Sequence, residues 1–311
     1  MTDREFRFGL QASKATSAEE WTALARRAED LGYATLTMAD HFPDQLAPGP
    51  ALATAAAATD TIRVGALMYC NDYRHPTVLA KEVATLDLLS GGRMDFGIGA
   101  GWMTVDYEEA GFELDRPGIR IDRMIESLAV CRGLMSGESF SFTGEHYRIT
   151  EMTGAPPPVQ RPMPPVVIGG GGKRMLTVAG READIVGINL NLRSGEIGAD
   201  AGADGTPART DTKIEWVRDG AGSRYSDVEL QTRVHVSAVT DDKHALIDAL
   251  AGGFGLTTDE AMETPHALAG TVDEICADLE RIRDRWDISY FGIGVESLDD
   301  MAPVVERMTG R

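Results

Sequence analysis

Asp40 and His41 stand side by side just after a short β-rich run, and they are the most chemically suggestive pair in the chain. An imidazole titrates near neutrality, so His41 can give or take a proton, and a carboxylate beside it can orient it. Asn71, in Tyr69-Cys70-Asn71-Asp72, offers an amide able to bond a heterocycle. The run Gly97-Ile98-Gly99-Ala100-Gly101-Trp102 has glycine at alternate positions. That spacing lets backbone approach a flat ligand closely, or lets a barrel pack against small residues. Gly169, Gly170, Gly171 and Gly172 are followed by Lys173, Arg174 and a helical stretch. Backbone N–H groups at such a helix start, with two cations beside them, suit a phosphate. His75 and Pro76 read instead as the start of a helix. Cys70 lies near a strand end, with nothing further to mark it as a nucleophile.

Other chemistries are missing. No HExxH, GxSxG or P-loop pattern occurs, and the six histidines lack metal-ligand spacing. Three widely spaced cysteines form neither a CxxC site nor a disulfide framework. An organic cofactor is then the economical source of reactivity. The balance of 30 basic and 49 acidic residues, net −19, argues against nucleic acid or an anionic membrane as main partner. It leaves room for an anionic cofactor held by local donors. Met1 to Phe8 carries charges where a signal peptide needs an apolar core, and Ala51 to Ala58 is too short to span a bilayer. The protein reads as soluble and cytoplasmic.

These residues need elements to hold them. Short β-rich runs alternate with amphipathic stretches: strands at Phe6–Gln11, Ala34–Met38, Ile62–Met68, Met94–Ile98, Val166–Ile168, Ile185–Ile188, Leu230–Ala238 and Tyr290–Gly294. Helices are expected over Ala18–Leu31, Pro76–Leu89, Ile119–Met135, Arg174–Gly180, Thr212–Asp219, Lys243–Leu250, from Thr271 to about Arg285, and over Met301–Met308. Ser17 with Glu20, and Thr271 with Glu274, form capping-box patterns. Phe140–Ile149 reads as an inserted hairpin, and Arg193–Thr210, rich in Gly, Ala and Asp, as a mobile loop. Eight strands alternating with helices predict a parallel (β/α)8 TIM barrel spanning residues 1–311 as a single domain. The doubly wound alternative wants a GxGxxG turn after the first strand, where this chain has Gln-Ala-Ser-Lys. A barrel places active-site residues at strand C-terminal ends.

Taken together, these motifs resemble the luciferase-like monooxygenase superfamily, and most its coenzyme F420-dependent branch. The resemblance runs from Phe6 to about Asn189 and resumes at the last strand. Its most specific part joins Tyr73-Arg74-His75-Pro76 and Leu86-Asp87-Leu88-Leu89-Ser90-Gly91-Gly92-Arg93 to Gly97–Trp102, with Asp40-His41-Phe42 and Gly169–Gly172 in the expected order. The resemblance implies a barrel with an isoalloxazine-like ring in its mouth, near Asp40 and His41. It implies a non-prolyl cis peptide between Ala66 and Asn71 supporting the ring's face, which places Leu67 with the cofactor-binding residues. It assigns Asn71, Gly99, Ala100, Gly101 and Trp102 to the ring site and Gly169, Gly170, Gly171 and Gly172 to the cofactor phosphate. A homodimer is expected on the same ground. Sugar-phosphate dehydrogenases of this branch carry Glu where this chain has Trp102, and Trp near Pro43, Asp44 and Gln45. These departures argue against sugar-phosphate oxidation, and Trp102 suggests an apolar or aromatic substrate wall.

Three functions follow. In the first, an F420-dependent oxidoreductase moves a hydride to or from a small organic substrate, with His41 as proton donor or acceptor and Asp40 orienting it or touching the ring. In the second, an FMN-dependent monooxygenase uses oxygen and a partner reductase. In the third, the barrel binds a ligand without redox chemistry.

Overall fold

The computed structural model describes residues 4–193, 195 and 199–311. Its strands are β1 (Arg7–Gln11), β2 (Thr35–Met38), β3 (Arg63–Ala66), β4 (Tyr69–Cys70), β5 (Met94–Gly99), β6 (Phe140–Thr143), β7 (Arg148–Met152), β8 (Val166–Gly170), β9 (Ile185–Ile188), β10 (Glu229–Arg233), β11 (Val236–Val239), β12 (Ala267–Gly270) and β13 (Ile288–Gly294). Its helices are α1 (Ala18–Asp30), α2 (Pro48–Ala58), α3 (Pro76–Leu89), α4 (Thr104–Ala110), α5 (Pro117–Met135), α6 (Lys173–Glu182), α7 (Ala199–Gly202), α8 (Pro207–Ala221), α9 (Lys243–Ala251), α10 (Thr258–Glu263), α11 (Val272–Trp286) and α12 (Ala302–Met308). Eight strands close a parallel barrel in the order β3-β2-β1-β13-β10-β9-β8-β5, and β3 pairs with β5 to complete the ring. This is the predicted (β/α)8 architecture. Every residue of β2 and of β13 is buried, as expected of parallel strands covered on both faces.

The chain divides into two compact units, one made of Ser13–Arg26 and Leu36–Val167, the other of the remainder. In the first, proline fills the opening turn of α2, α3 and α5, where its missing N–H costs nothing. Arg93 then satisfies the carbonyls left at the end of α2: its guanidinium donates to the oxygens of Ala56 at 2.7 Å, Thr59 at 3.1 Å and Ile62 at 2.7 Å. Asp87, fully buried, accepts from the backbone and side-chain nitrogens of Gln160 at 2.9 and 2.6 Å. The Leu86–Arg93 motif thus holds the scaffold. The hairpin of β6 and β7 is antiparallel and stands apart from the barrel sheet.

In the second unit, β1 runs parallel to β13 with Arg7 opposite Tyr290, and the Phe6, Phe8 and Phe291 rings meet with centroids 6.1–6.2 Å apart. Helices α6 and α8 cross closely because each brings a glycine to the contact. A Cβ on Gly180 would lie 2.3 Å from the Val217 carbonyl oxygen, and one on Gly220 would lie 2.0 Å from that of Thr177.

Several predicted boundaries shift. The predicted seventh strand, Leu230–Ala238, breaks after Arg233. Beyond the break the backbone turns to His266, with His235 N donating to its carbonyl at 2.8 Å, and β11 pairs with β12 outside the barrel. The loop predicted over Arg193–Thr210 is corrected in its second half. Residues 199–205 are helical and α8 already begins at Pro207, with Thr206 as its N-cap, so Gly202 and Gly205 end short helical turns here. Residues 194 and 196–198 of that stretch lie outside the described residues. The Thr271–Glu274 capping box forms in full. The Ser17 box forms by half: Ser17 accepts from Glu20 N, while the Glu20 carboxylate turns to Thr16. Helices α2, α4 and α10 and strands β4 and β12 were not foreseen. No described helix is long and apolar enough to cross a membrane.

Candidate active site

Three strand ends build the chemistry of the Leu36–Val167 segment. Strand β2 delivers Asp40 and His41, and the end of β3 is tied to it by Leu67 N donating to the Met38 carbonyl at 2.7 Å. The cis bond anticipated between Ala66 and Asn71 is Leu67–Met68. Strand β5 ends in the glycine run that leads through Trp102 into α4.

His41 does not pair with its neighbour. Its Nδ1 lies 2.6 Å from Oδ2 of Asp106, in the first turn of α4 and with a side chain fully withdrawn from solvent. The same carboxylate accepts the Phe42 backbone N–H at 3.1 Å and the Tyr73 hydroxyl at 2.9 Å. With the Asp106 carboxylate as acceptor, Nδ1 carries the proton and Nε2 is the nitrogen left for other partners. Trp102 meets the imidazole edge-on, centroids 5.4 Å apart. Orientation of His41, offered by the sequence to Asp40, falls to Asp106.

Asp40 does other work. Its buried carboxylate accepts from Cys70 N at 2.9 Å and from Arg74 Nη1 at 2.6 Å, and the Arg74 guanidinium lies 4.9 Å from the Tyr69 ring centroid. That fork neutralises the Asp40 charge and fastens the end of β2 to β4. Asn71 is buried, and its Nδ2 donates to the Tyr147 hydroxyl at 3.3 Å. Its Oδ1 has no hydrogen-bond partner among the described residues. A buried, unused acceptor of this kind suits an N–H of a bound heterocycle.

The glycines of β5 have a packing cause. A Cβ on Gly97 would sit 1.9 Å from the Ala66 carbonyl oxygen, and one on Gly99 would sit 3.2 Å from the Met68 Cβ. At Gly101, φ is +77°, and a Cβ would strike the Tyr107 hydroxyl at 1.8 Å. Arg120 donates to the carbonyls of Ala100 and Gly101, fixing the exit of the strand. Burial pushes the Cys70 thiol up to about 11, so the thiolate needed of a nucleophile is suppressed. His75 is the N-cap of α3, its Nδ1 accepting from Thr77 N at 3.2 Å. Phe42 is half exposed and stacks on Phe112, centroids 5.7 Å apart, with Tyr73 against both rings. This apolar face adjoins His41.

In the Ile168–Arg311 segment, β8 runs into Gly172, the N-cap of α6, and no described side chain caps that helix. Gly171 is pressed against Leu190 and Asn191 backbone, whereas a Cβ on Gly172 would meet nothing nearer than Asn191 Nδ2 at 4.0 Å. The start of α6 is thus open and without a side-chain cap. Farther along, His235 and His266 are neighbours with centroids 5.8 Å apart. Burial lowers their pKa values to about 4 and about 3. Both are therefore neutral when folded and take protons only on unfolding below about 6.5, so stability falls as pH drops through that value. Urea unfolding is expected to lose about 2 kcal/mol per histidine between pH 7 and pH 5. A flat profile there would show the rings to be solvated. No described group of His, Cys, Asp and Glu is arranged to hold a metal ion.

The model of the luciferase-like monooxygenase family matches residues 5–251, and the chain belongs to that family. It is an oxidoreductase of the luciferase-like kind, and its relatives are F420- or flavin-dependent. It is 28% identical over 304 residues to the F420-dependent glucose-6-phosphate dehydrogenase of Nakamurella multipartita, covering 93% of this chain and 85% of the relative. It is 30% identical over 139 residues to the FMNH2-dependent dimethylsulfone monooxygenase of Pseudomonas putida, covering 45% of this chain and 38% of that one. Its fold matches the coenzyme F420-dependent tetrahydromethanopterin reductase of Methanopyrus kandleri at a TM-score of 0.77 and 17% identity, covering 98% of this chain and all of the other.

Proposed function

We propose that this protein is a coenzyme F420-dependent oxidoreductase acting on a small organic substrate, with His41 as its proton donor or acceptor. The His41–Asp106 pair carries this reading, because it fixes one imidazole tautomer at a barrel strand end. The likeness over most of the chain to an F420-dependent dehydrogenase favours the deazaflavin. When bound, that coenzyme supplies hydride transfer at C5 of its ring. The chain's own residues do the rest. Asn71 Oδ1 would accept from the ring, Leu67 and the Gly99–Trp102 backbone would line it, and Gly169–Gly172 would hold phosphate. Asp40 and Arg74 keep this framework charge-balanced. His41 Nε2 holds or receives the substrate proton. Trp102, Phe42 and Phe112 favour an apolar or aromatic substrate over a sugar phosphate.

An FMN-dependent monooxygenase is the second reading, supported by the partial likeness to the dimethylsulfone enzyme. Fluorescence-quenching titrations of the apo-protein with F420 and with FMN separate the two. Micromolar or tighter F420 binding with much weaker FMN binding supports the first, and the reverse preference supports the second. Binding of neither removes both cofactor readings.

The phosphate seat has its own test. Gly170→Asp places a negative charge against the anion, but its Cβ would also press on Met175 Cγ at 2.7 Å. Gly172→Asp is cleaner: its Cβ has room, and an aspartate at an N-cap stabilises the helix. It is expected to weaken coenzyme binding by about tenfold or more while the melting temperature holds or rises. Unchanged affinity would remove the loop from the site.

A further inference from the structure

Arg233 ends β10, and the C-terminal ends of its strands are where a (β/α)8 barrel keeps its chemistry. The neighbouring Thr232 turns its hydroxyl to the Ile188 carbonyl and to His266, so strand alternation sends Gln231 and Arg233 to the opposite face. There Arg233 runs beside Gly292 of β13, its partner in the register. A Cβ on Gly292 would stand 2.9 Å from Gln231 Nε2 and 3.9 Å from Arg233 Cδ. The half-buried guanidinium makes one hydrogen bond, from Nη1 to the Gly292 carbonyl at 3.1 Å. That carbonyl already accepts Val234 N at 2.9 Å, so the strand does not need the bond. No carboxylate among the described residues forms an ion pair with Arg233. Glu296 acts on it only at a distance, from an exposed turn after β13.

The Nη1 bond leaves the Nε–Nη2 edge free. Elsewhere in this chain the same edge takes a carboxylate. Arg7 grips Glu229 through two bonds of 2.7 Å, and Arg285 grips Asp211 at 3.1 and 2.8 Å. Two parallel donors at fixed spacing match the two oxygens of a carboxylate. A guanidinium drawn partly out of water without a counter-charge is costly, and burial lowers the Arg233 pKa accordingly. Water wets the edge without balancing the charge, whereas an anion does both. One guanidinium balances one negative charge, which suits a carboxylate better than a phosphate dianion. We propose, building on the oxidoreductase reading, that the substrate is a monocarboxylate with an apolar body and that the Nε–Nη2 edge of Arg233 holds its anionic end.

The test follows the Arg233 side-chain ¹⁵Nε–¹H resonance of the full-length protein, with and without F420, as benzoate, benzamide or inorganic phosphate is added. Benzamide has the shape of benzoate without its charge. The expected result is a saturable Arg233 shift with benzoate, and at least about tenfold weaker binding of benzamide and of phosphate. Arg233→Gln is expected to weaken benzoate binding by about tenfold or more at unchanged F420 affinity. Its melting temperature is expected to hold or rise, because an uncompensated charge is removed. Arg233→Lys keeps the charge but loses the fork, and is expected to fall between the two. No Arg233 response to benzoate in either state overturns the assignment, as does equal binding of benzamide or of phosphate. A loss of F420 affinity in Arg233→Gln gives the anion to the coenzyme, and a fall in melting temperature makes Arg233 structural; each overturns it too. The benzoate arm without coenzyme is decisive even where F420 does not bind, so failure here is distinct from failure of the deazaflavin reading.

Discussion

Asp106→Asn is expected to lower turnover about 10²–10³-fold while coenzyme affinity stays within about threefold. The carboxylate takes three donors: His41 Nδ1–H, the Tyr73 hydroxyl and the Phe42 backbone N–H. An asparagine supplies one acceptor oxygen and an unwanted NH2 group in their place. With that group facing the imidazole, His41 settles as the other tautomer, with its proton on Nε2 and its Nδ1 spent as an acceptor. His41→Ala removes the proton carrier itself and is expected to lose at least as much turnover. Single-turnover rates and coenzyme titrations on both variants, with pH profiles, check this. A positional role for Asp106 shows as a changed pH profile in Asp106→Asn that is absent from variants that merely lower stability. Equal losses of turnover and affinity in His41→Ala would make His41 a binding residue.

Gly97→Ala is expected to destabilise the fold by about 3 kcal/mol or more. Adding a methyl to a strand is usually harmless, and alanine ordinarily improves on glycine by restricting the unfolded chain. Here the Cβ would lie 1.9 Å from the Ala66 carbonyl oxygen and 3.2 Å from Met68 Sδ. The first neighbour is backbone of β3, hydrogen-bonded into the barrel ring, so no rotamer change relieves it. Val64 and Met94, opposite each other in the β3–β5 register, would be forced apart. Urea unfolding reads the cost directly, and a midpoint within the error of the unsubstituted protein would show that the two strands are not closed on one another there.

Much of the architecture was legible because strand and helix periods differ. Pro76–Leu89 and Ile185–Ile188 fall where the pattern placed them, since proline opens the first and a fully apolar run defines the second. Helix α2 escaped notice because its alanine-rich sequence has no polar face to mark a period. The break after Arg233 escaped because β10 and β11 follow each other in one β-rich stretch with no turn residue between them, and only pairing with distant β12 separates them. In the site, His41 was recognisable from its chemistry and its place at a strand end. Asp106 was not, because it lies 65 residues away among other acidic residues of a short helix. Its burial, which makes it matter, is a property of the tertiary structure alone. The glycine run of β5 admitted both a ligand and a packing reading, and contact with the Ala66 carbonyl and the Tyr107 hydroxyl gives Gly97 and Gly101 a packing cause.

The division of labour between β2 and α4 has an evolutionary side. The group proposed to handle the proton follows barrel strand β2, and its orienting carboxylate sits on a seven-residue helix outside the sheet. Substitutions along α4 can therefore retune the tautomer and pose of His41 without disturbing the residues proposed to face the ring. Natural drift or deliberate selection acting on Thr104–Ala110 offers a separate dial for how firmly that imidazole is held.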